Sequence, residues 1–213
     1  MNRFRAYAYS NFLTGAVVTT VCGITLISLS FAFGKIPLFL ALNNDLGSLA
    51  DNFFSLCTHG GDGTVWLPVA AIFWIYKRDK FPLLVSVVAI GTLIVQLSKN
   101  VFLSAQVRPA TAIGHSASFH SVPGVELLTN NSFPSGHTTT AFSLFLLGCL
   151  FIEKKWIVPI GLLYALLVGY SRVYLAEHFP LDVGGGMLTA VVTLYLSVEV
   201  QYGWEHRKKA VGR

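Results

Sequence analysis

Long apolar runs, each stopped by a few polar or charged residues, pattern this chain. Six of them fall at 12–33, 63–77, 81–103, 135–152, 156–173 and 180–202. A helix of about 20 apolar residues crosses roughly 30 Å of hydrocarbon, so these runs predict membrane spans, the second of them short. Lys35 and Pro37 close the first run. Lys77, Arg78, Asp79 and Lys80 separate the second from the third, and Glu153, Lys154 and Lys155 make a tight turn between the fourth and fifth. Residues 38–57 mix Leu, Phe and Ala with Asn43, Asn44, Asp45, Asp51 and Asn52. That stretch is too polar to span and predicts one amphipathic helix lying on the membrane surface. Thr58-His59-Gly60-Gly61-Asp62-Gly63 reads as a turn-rich break, and 104–133 as a long polar loop.

Composition sharpens this picture. The 213 residues are 54% hydrophobic and 12% charged, against about 25% charged in an average soluble domain. The expectation is an all-α polytopic membrane protein: one domain, 1–213, with six transmembrane helices and a short outer interfacial helix. The run from Phe12 to Phe33 is too long for a typical signal-peptide core and no small-residue cleavage site follows it, so it reads as a retained first span. Cys22, Cys57 and Cys149 are scattered and form neither a metal spacing nor a disulfide framework.

A net charge of +5 raises the question of a nucleic-acid partner, but its distribution along the chain points away from one. Arg3, Arg5, Lys77, Arg78, Lys80, Lys154, Lys155, Arg207, Lys208, Lys209 and Arg213 fall on one side of a six-span layout. Only Lys35, Lys99, Arg108 and Arg172 fall on the other. The excess of Lys and Arg in cytoplasmic loops then puts both termini in the cytoplasm.

Three of the four outer cations belong to polar stretches set among apolar ones. In Ser171-Arg172-Val173-Tyr174-Leu175-Ala176-Glu177-His178-Phe179-Pro180-Leu181-Asp182, charge stands between two predicted spans, where it is costly to keep without a role. Arg172 is a permanent cation suited to a phosphate oxyanion. His178 suits a nucleophile or proton carrier. Asp182, four residues on at a helix start set by Pro180, can hold the imidazole in one tautomer. In Asn131-Ser132-Phe133-Pro134-Ser135-Gly136-His137, Ser135 is an N-cap candidate. Gly136 admits close backbone approach, and the free N–H groups of a helix start favour an anion. His137 sits in that first turn. Lys99 and Arg108-Pro109 make the third stretch. All three fall on the same outer face.

These stretches resemble the signature of the type 2 phosphatidic acid phosphatase superfamily of membrane lipid phosphatases. That signature has a lysine, six residues and Arg-Pro; then Pro-Ser-Gly-His; then Ser-Arg, five residues, His, three residues and Asp. Residues 134–137 match the second element. Ser171, Arg172, His178 and Asp182 match the third at full spacing. The first departs from it, with eight residues between Lys99 and Arg108. Residues nine apart on an α-helix point about 180° away from each other, so the backbone is expected to unwind near 104–107.

The resemblance implies a metal-independent hydrolase with no cofactor. His178 would attack phosphorus and form a phosphohistidine, and Asp182 would orient it. His137 would protonate the leaving group. Lys99, Arg108 and Arg172 would hold the phosphoryl oxygens, with Ser135 and the Gly136 N–H completing the cradle. The sequence shows no carboxylate cluster for Mg²⁺. The expected partner is a lipid phosphate or diphosphate in a bacterial inner membrane, with the site facing outward and no obligate protein partner. Undecaprenyl diphosphate is preferred, because recycling that carrier needs an outward-facing phosphatase. Phosphatidic acid, phosphatidylglycerol phosphate and lipid A 1-phosphate stand close behind. A phosphotransferase on the same scaffold and a lipid transporter or scramblase are the alternatives. Glu126 and Glu177 read as solvated acids, His115 and His120 as loop residues, and Gly184-Gly185-Gly186 as a site of close helix packing.

Overall fold

The computed structural model describes residues 3–114 and 118–211, with backbone alone for 3–8, 209 and 211. His115 and Arg213 lie outside the described residues, as do the side chains of Arg3, Arg5 and Lys209. Every regular element among the described residues is helical. α1 is Arg3–Phe33, α2 Lys35–Leu42, α3 Ser48–Cys57, α4 Trp66–Tyr76 and α5 Phe81–Leu97. α6 is Pro109–Ile113, α7 Gly136–Phe151, α8 Ile157–Tyr174 and α9 Pro180–Val211.

The apolar runs become these helices nearly where their polar stops predict. The helical stretches Tyr9–Phe33, Arg78–Phe102, Ile157–Tyr174 and Pro180–Lys208 are long and apolar enough to cross a membrane. Gly63–Tyr76 and Gly136–Phe151 are shorter apolar helices. At 1.5 Å per residue they reach about 21 and 24 Å, less than a full hydrocarbon thickness. Side chains on the outer faces are apolar: Val17, Phe31, Ile75, Leu93, Leu163 and Val192 are all half exposed or nearly so. Such a surface suits lipid rather than water. The chain is an all-helical membrane protein.

α7 is the buried centre, packed by α1, α5, α8 and α9. Ala141, Phe142, Leu146 and Cys149 on it have no exposed surface. The three glycines that open α9 serve three separate contacts. A Cβ on Gly184 would lie 2.8 Å from the carbonyl oxygen of Gly23, so α1 crosses α9 there at backbone distance. One on Gly185 would lie 2.4 Å from the Phe133 ring. One on Gly186 would lie 2.7 Å from Ser135 O, on the N-terminus of α7. The small residues draw α9 against the segment that carries Ser135 and His137.

Residues 38–57 differ from the single surface helix expected of them. They form parts of two helices, α2 and α3, broken at 43–47. The reason is Asn43, which is buried and donates to Val173 O and Tyr174 O at 2.9 Å each. Phe54 of α3 packs edge-on against Tyr170, with centroids 5.1 Å apart. The segment is therefore docked on the C-terminal end of α8, where a buried amide donates to two carbonyls of the last helical turn.

Candidate active site

The last turn of α8 carries Ser171 and Arg172, and the chain then reverses in five residues to begin α9. Ala176 adopts the left-handed conformation, φ 56°. The N–H groups of Glu177 and His178 both donate to Arg172 O at 3.0 Å. Pro180 occupies the first position of α9, where its missing N–H costs nothing. Asp182, at the third position, reaches back to accept from the Phe179 N–H at 2.9 Å, one half of a capping box. The same atom, Oδ2, accepts from Ser132 Oγ at 2.5 Å and lies 3.4 Å from His178 Nδ1. Helix capping thus fixes the carboxylate beside the imidazole.

His178 is 1% exposed. Burial pushes its imidazole down to about 3; Asp182 opposes this, while Arg108 and Arg172 add to it. The ring is neutral at ordinary pH. With Nδ1 on the carboxylate, the lone pair belongs to Nε2.

Ser135 caps α7: its Oγ accepts from Thr138 N at 3.4 Å and Thr138 Oγ1 at 2.9 Å. It has no exposed surface, and its backbone N–H donates to Asp182 O at 3.0 Å. The cap of α7 and the start of α9 are therefore one assembly. Gly136 opens α7, and His137 follows in its first turn. His137 Nε2 is 2.7 Å from Asp62 Oδ1.

The cations converge on the same place. Arg108 is 5% exposed. Its Nε donates to Asn130 O at 3.1 Å and its Nη1 to Glu177 O at 3.1 Å; Nη1 also pairs with the Glu177 carboxylate. Arg172 Nη2 is 3.3 Å from the same carboxylate oxygen, and its Nη1 donates to Thr58 Oγ1 at 2.5 Å. Arg172 Nε has no hydrogen-bond partner among the described residues. His137 and His178 both lie within electrostatic range of Arg172.

The eight residues between Lys99 and Arg108 are absorbed in two ways. A π-helical turn over Ser98–Phe102 follows α5. Regular helix then ends, and 103–108 is irregular. The wider turn changes the azimuth of Lys99, and the unwinding brings the chain back. Lys99 ends within electrostatic range of Arg108, Arg172, Asp182 and Glu177. Asn131, with its amide turned to satisfy its neighbours, donates to Lys99 O at 3.1 Å and so ties the helix end to the second stretch.

Glu177 corrects the expectation of a solvated acid. It is 4% exposed and bonded to two arginines, because the α8–α9 reversal turns it inward. Glu126 is exposed, as expected. Asp62, Thr58 and Ser132 carry contacts that their sequence positions do not announce. His120 Nε2 is 2.9 Å from Asp51 Oδ1, and its side chain is 10% exposed. Asp45, Asp51 and His120 offer atoms within 4.8 Å of one another, a grouping that could hold a cation. Asp51 there already accepts from Tyr174 Oη at 2.6 Å. Beside His137 a cavity of about 240 Å³ opens between α4, α5 and α7, lined by Trp66, Gly91, Gln96 and Thr140 among others.

A protein of Sulfolobus acidocaldarius named undecaprenyl-diphosphatase is 31% identical over 172 residues, 78% of this chain and 78% of its own length. The crystal structure of Aquifex aeolicus LpxE superposes with a TM-score of 0.66 at 33% identity, covering 78% of this chain and 94% of that one. A Bacillus subtilis PAP2-type phosphatidylglycerolphosphate phosphatase shares the fold across 92% of this chain and 96% of its own, with a TM-score of 0.61 and 23% identity. The model of the PAP2 superfamily matches residues 80–205. That interval holds Lys99, Arg108, the α7 cap and the α8–α9 reversal, and by this match the chain belongs to the PAP2 superfamily.

Proposed function

We propose that the protein is an integral membrane phosphatase that hydrolyses a lipid phosphate or diphosphate through a phosphohistidine on His178. One observation carries this reading. A buried neutral histidine rests on a carboxylate that helix capping holds in place, beside two arginines and within reach of the charge of a third cation.

In the first step the Nε2 lone pair of His178 attacks phosphorus while the bond to the leaving oxygen breaks. His137 gives that oxygen its proton. Lys99, Arg108 and Arg172 take the negative charge on the non-bridging oxygens, with the Gly136 N–H at the α7 start. Ser135 contributes by holding that start in shape. In the second step water attacks the phosphoryl group, His137 takes its proton, and the P–N bond breaks. Inorganic phosphate leaves and both histidines return to their first state. No step is routed through a metal.

Undecaprenyl diphosphate is the preferred substrate, as the name of the Sulfolobus relative suggests. Phosphatidic acid, phosphatidylglycerol phosphate and lipid A 1-phosphate use the same chemistry. The proposed layout is one six-span unit in which Gly63–Tyr76 and Gly136–Phe151 also cross. The termini are cytoplasmic and the site faces the exterior of a bacterial inner membrane, following the Lys and Arg distribution.

The test is phosphate release from these four lipids in detergent with excess EDTA, for the wild type and His178→Ala. Wild-type release in EDTA, lost in the variant, is expected. Release that survives the substitution removes His178 as nucleophile. No release from any lipid removes the hydrolase reading.

A further inference from the structure

The break Thr58-His59-Gly60-Gly61-Asp62-Gly63 is anchored from several sides. Arg172 Nη1 holds Thr58 Oγ1 at 2.5 Å, and Tyr164 Oη donates to Gly60 O at 2.5 Å. Gly61 lies so close to α7 that a Cβ there would stand 2.8 Å from both Cβ and O of His137 and 2.9 Å from Val168 Cγ1. A glycine is required at that approach. The result is that Asp62 arrives beside His137 with Oδ1 2.7 Å from Nε2. Its other oxygen, Oδ2, lies 2.7 Å from His59 Nδ1. Asp62 stands ahead of the residues matched by the PAP2 family model, 80–205.

We propose that Asp62 is the positioning carboxylate of His137, and that His59 orients Asp62 from the solvent side. The proposal rests on reading His137 as the proton donor to the leaving group. The molecule then carries two His–Asp pairs with separate duties: His178 with Asp182 for attack on phosphorus, and His137 with Asp62 for proton transfer.

The chemistry calls for such a partner. A proton donor must be protonated when substrate is bound, yet partial burial first, and then the positive charges of Arg172 and Lys99 within electrostatic range, oppose a cation on His137. A carboxylate at hydrogen-bond distance works against both effects and fixes the ring, leaving Nδ1 to serve the leaving oxygen. Asp62 suits the task because it stays ionised. Burial alone would lift its carboxyl, but hydrogen bonds and charge from His59 and His137 bring it below the ordinary carboxylate value. The His59 side chain is 68% exposed and that of Asp62 32%, so the series runs from the site to the surface. His59 is the outermost member and the least demanding one.

The experiment compares two leaving groups in the full-length protein. Phosphatidic acid, a monoester, expels its diacylglycerol as an alkoxide that needs a proton; p-nitrophenyl phosphate expels a stabilised phenolate that needs little help. Asp62→Asn is close to isosteric and is checked first for a wild-type melting temperature and elution profile. Its kcat on the lipid is expected to fall about a hundredfold, the scale of general acid catalysis. KM should change less than about threefold, since the lost interaction belongs to the transition state. The loss on p-nitrophenyl phosphate should be at least about tenfold smaller than on the lipid. Asp62→Glu should recover part of the lipid rate. In a His137→Gln background, Asp62→Asn should cost nothing further. Equal losses on both substrates, a loss confined to KM, or an undiminished further loss without His137 would overturn the proposal. Activity surviving His178→Ala would instead strike the phosphohistidine, while the leaving-group ratio still judges Asp62.

Discussion

Asp182 Oδ2 lies 3.4 Å from His178 Nδ1, a longer separation than the 2.9 Å to the Phe179 N–H or the 2.5 Å to Ser132 Oγ that the same oxygen accepts. The carboxylate is placed by its helix and by Ser132, and the histidine leans on it. Asp182→Asn should therefore lower kcat by about 10²–10⁴-fold, the scale seen when a triad carboxylate is neutralised. Ser132→Ala should cost less, because the capping bond from Phe179 remains. Steady-state rates on one lipid phosphate order the three proteins, and Ser132→Ala falling below Asp182→Asn would contradict this account.

Glu177 occupies both arginines that the proposed mechanism assigns to phosphate. Removing one partner of a buried ion pair leaves uncompensated charge, a loss of about 3–5 kcal/mol. Glu177→Gln is expected to melt at lower temperature in phosphate-free buffer. Added orthovanadate or inorganic phosphate should then stabilise the variant more than the wild type, since the anion replaces the missing carboxylate. Equal ligand-induced shifts in both proteins would show that Glu177 and phosphate do not share the arginines.

The buried imidazole of His178 sets a pH dependence of stability. Its folded value of about 3 stands below the unfolded value of about 6.5. The unfolded chain binds the extra proton between these limits. Stability therefore falls as pH drops from about 6.5 towards 3 and levels off below, by an amount on the order of 3–5 kcal/mol from this group. Denaturation midpoints measured between neutral and mildly acidic pH should show this slope, and His178→Ala should flatten it. An unchanged slope in the variant would assign the acid sensitivity elsewhere.

Gly186→Ala puts a Cβ 2.7 Å from Ser135 O and 2.9 Å from Thr138 Cβ. Neither atom is the end of a flexible side chain, so α9 must move away from the cap of α7. A loss of about 1–3 kcal/mol is expected from overpacking. Activity should fall with it, because the bond from Ser135 N to Asp182 O spans the same contact. Gly203→Ala, where nothing lies within 4 Å of the added Cβ, serves as the control on the same helix. Equal melting temperatures for the two variants would refute the role given to Gly186.

Much of the architecture was legible because helix formation and lipid exposure are written locally. Apolar runs and their charged stops predicted α1, α5, α8 and α9 to within a few residues at most ends, and Pro180 predicted the start that sets His178 and Asp182 one turn apart. The unwinding between Lys99 and Arg108 was expected from the surplus spacing, although it begins earlier, after a π turn. The polar stretch 38–57 was misread, because composition does not reveal that Asn43 is buried against α8. Glu177 was misread for a related reason. Whether an acid meets water or two arginines depends on how the chain reverses at Ala176.

By itself the sequence determined that the protein is a helical membrane protein, which residues carry its charge among apolar spans, and the family those residues resemble. Hydropathy and residue spacing act over one or two turns, so they can be read along the chain. Tertiary structure alone decided which groups face one another. It joined Asp62 to His137 across 75 positions, Ser132 to Asp182 across 50 and Arg108 to Glu177 across 69. Those pairings follow from glycine-lined helix crossings and a docked loop, where shape and burial select partners that no local pattern records.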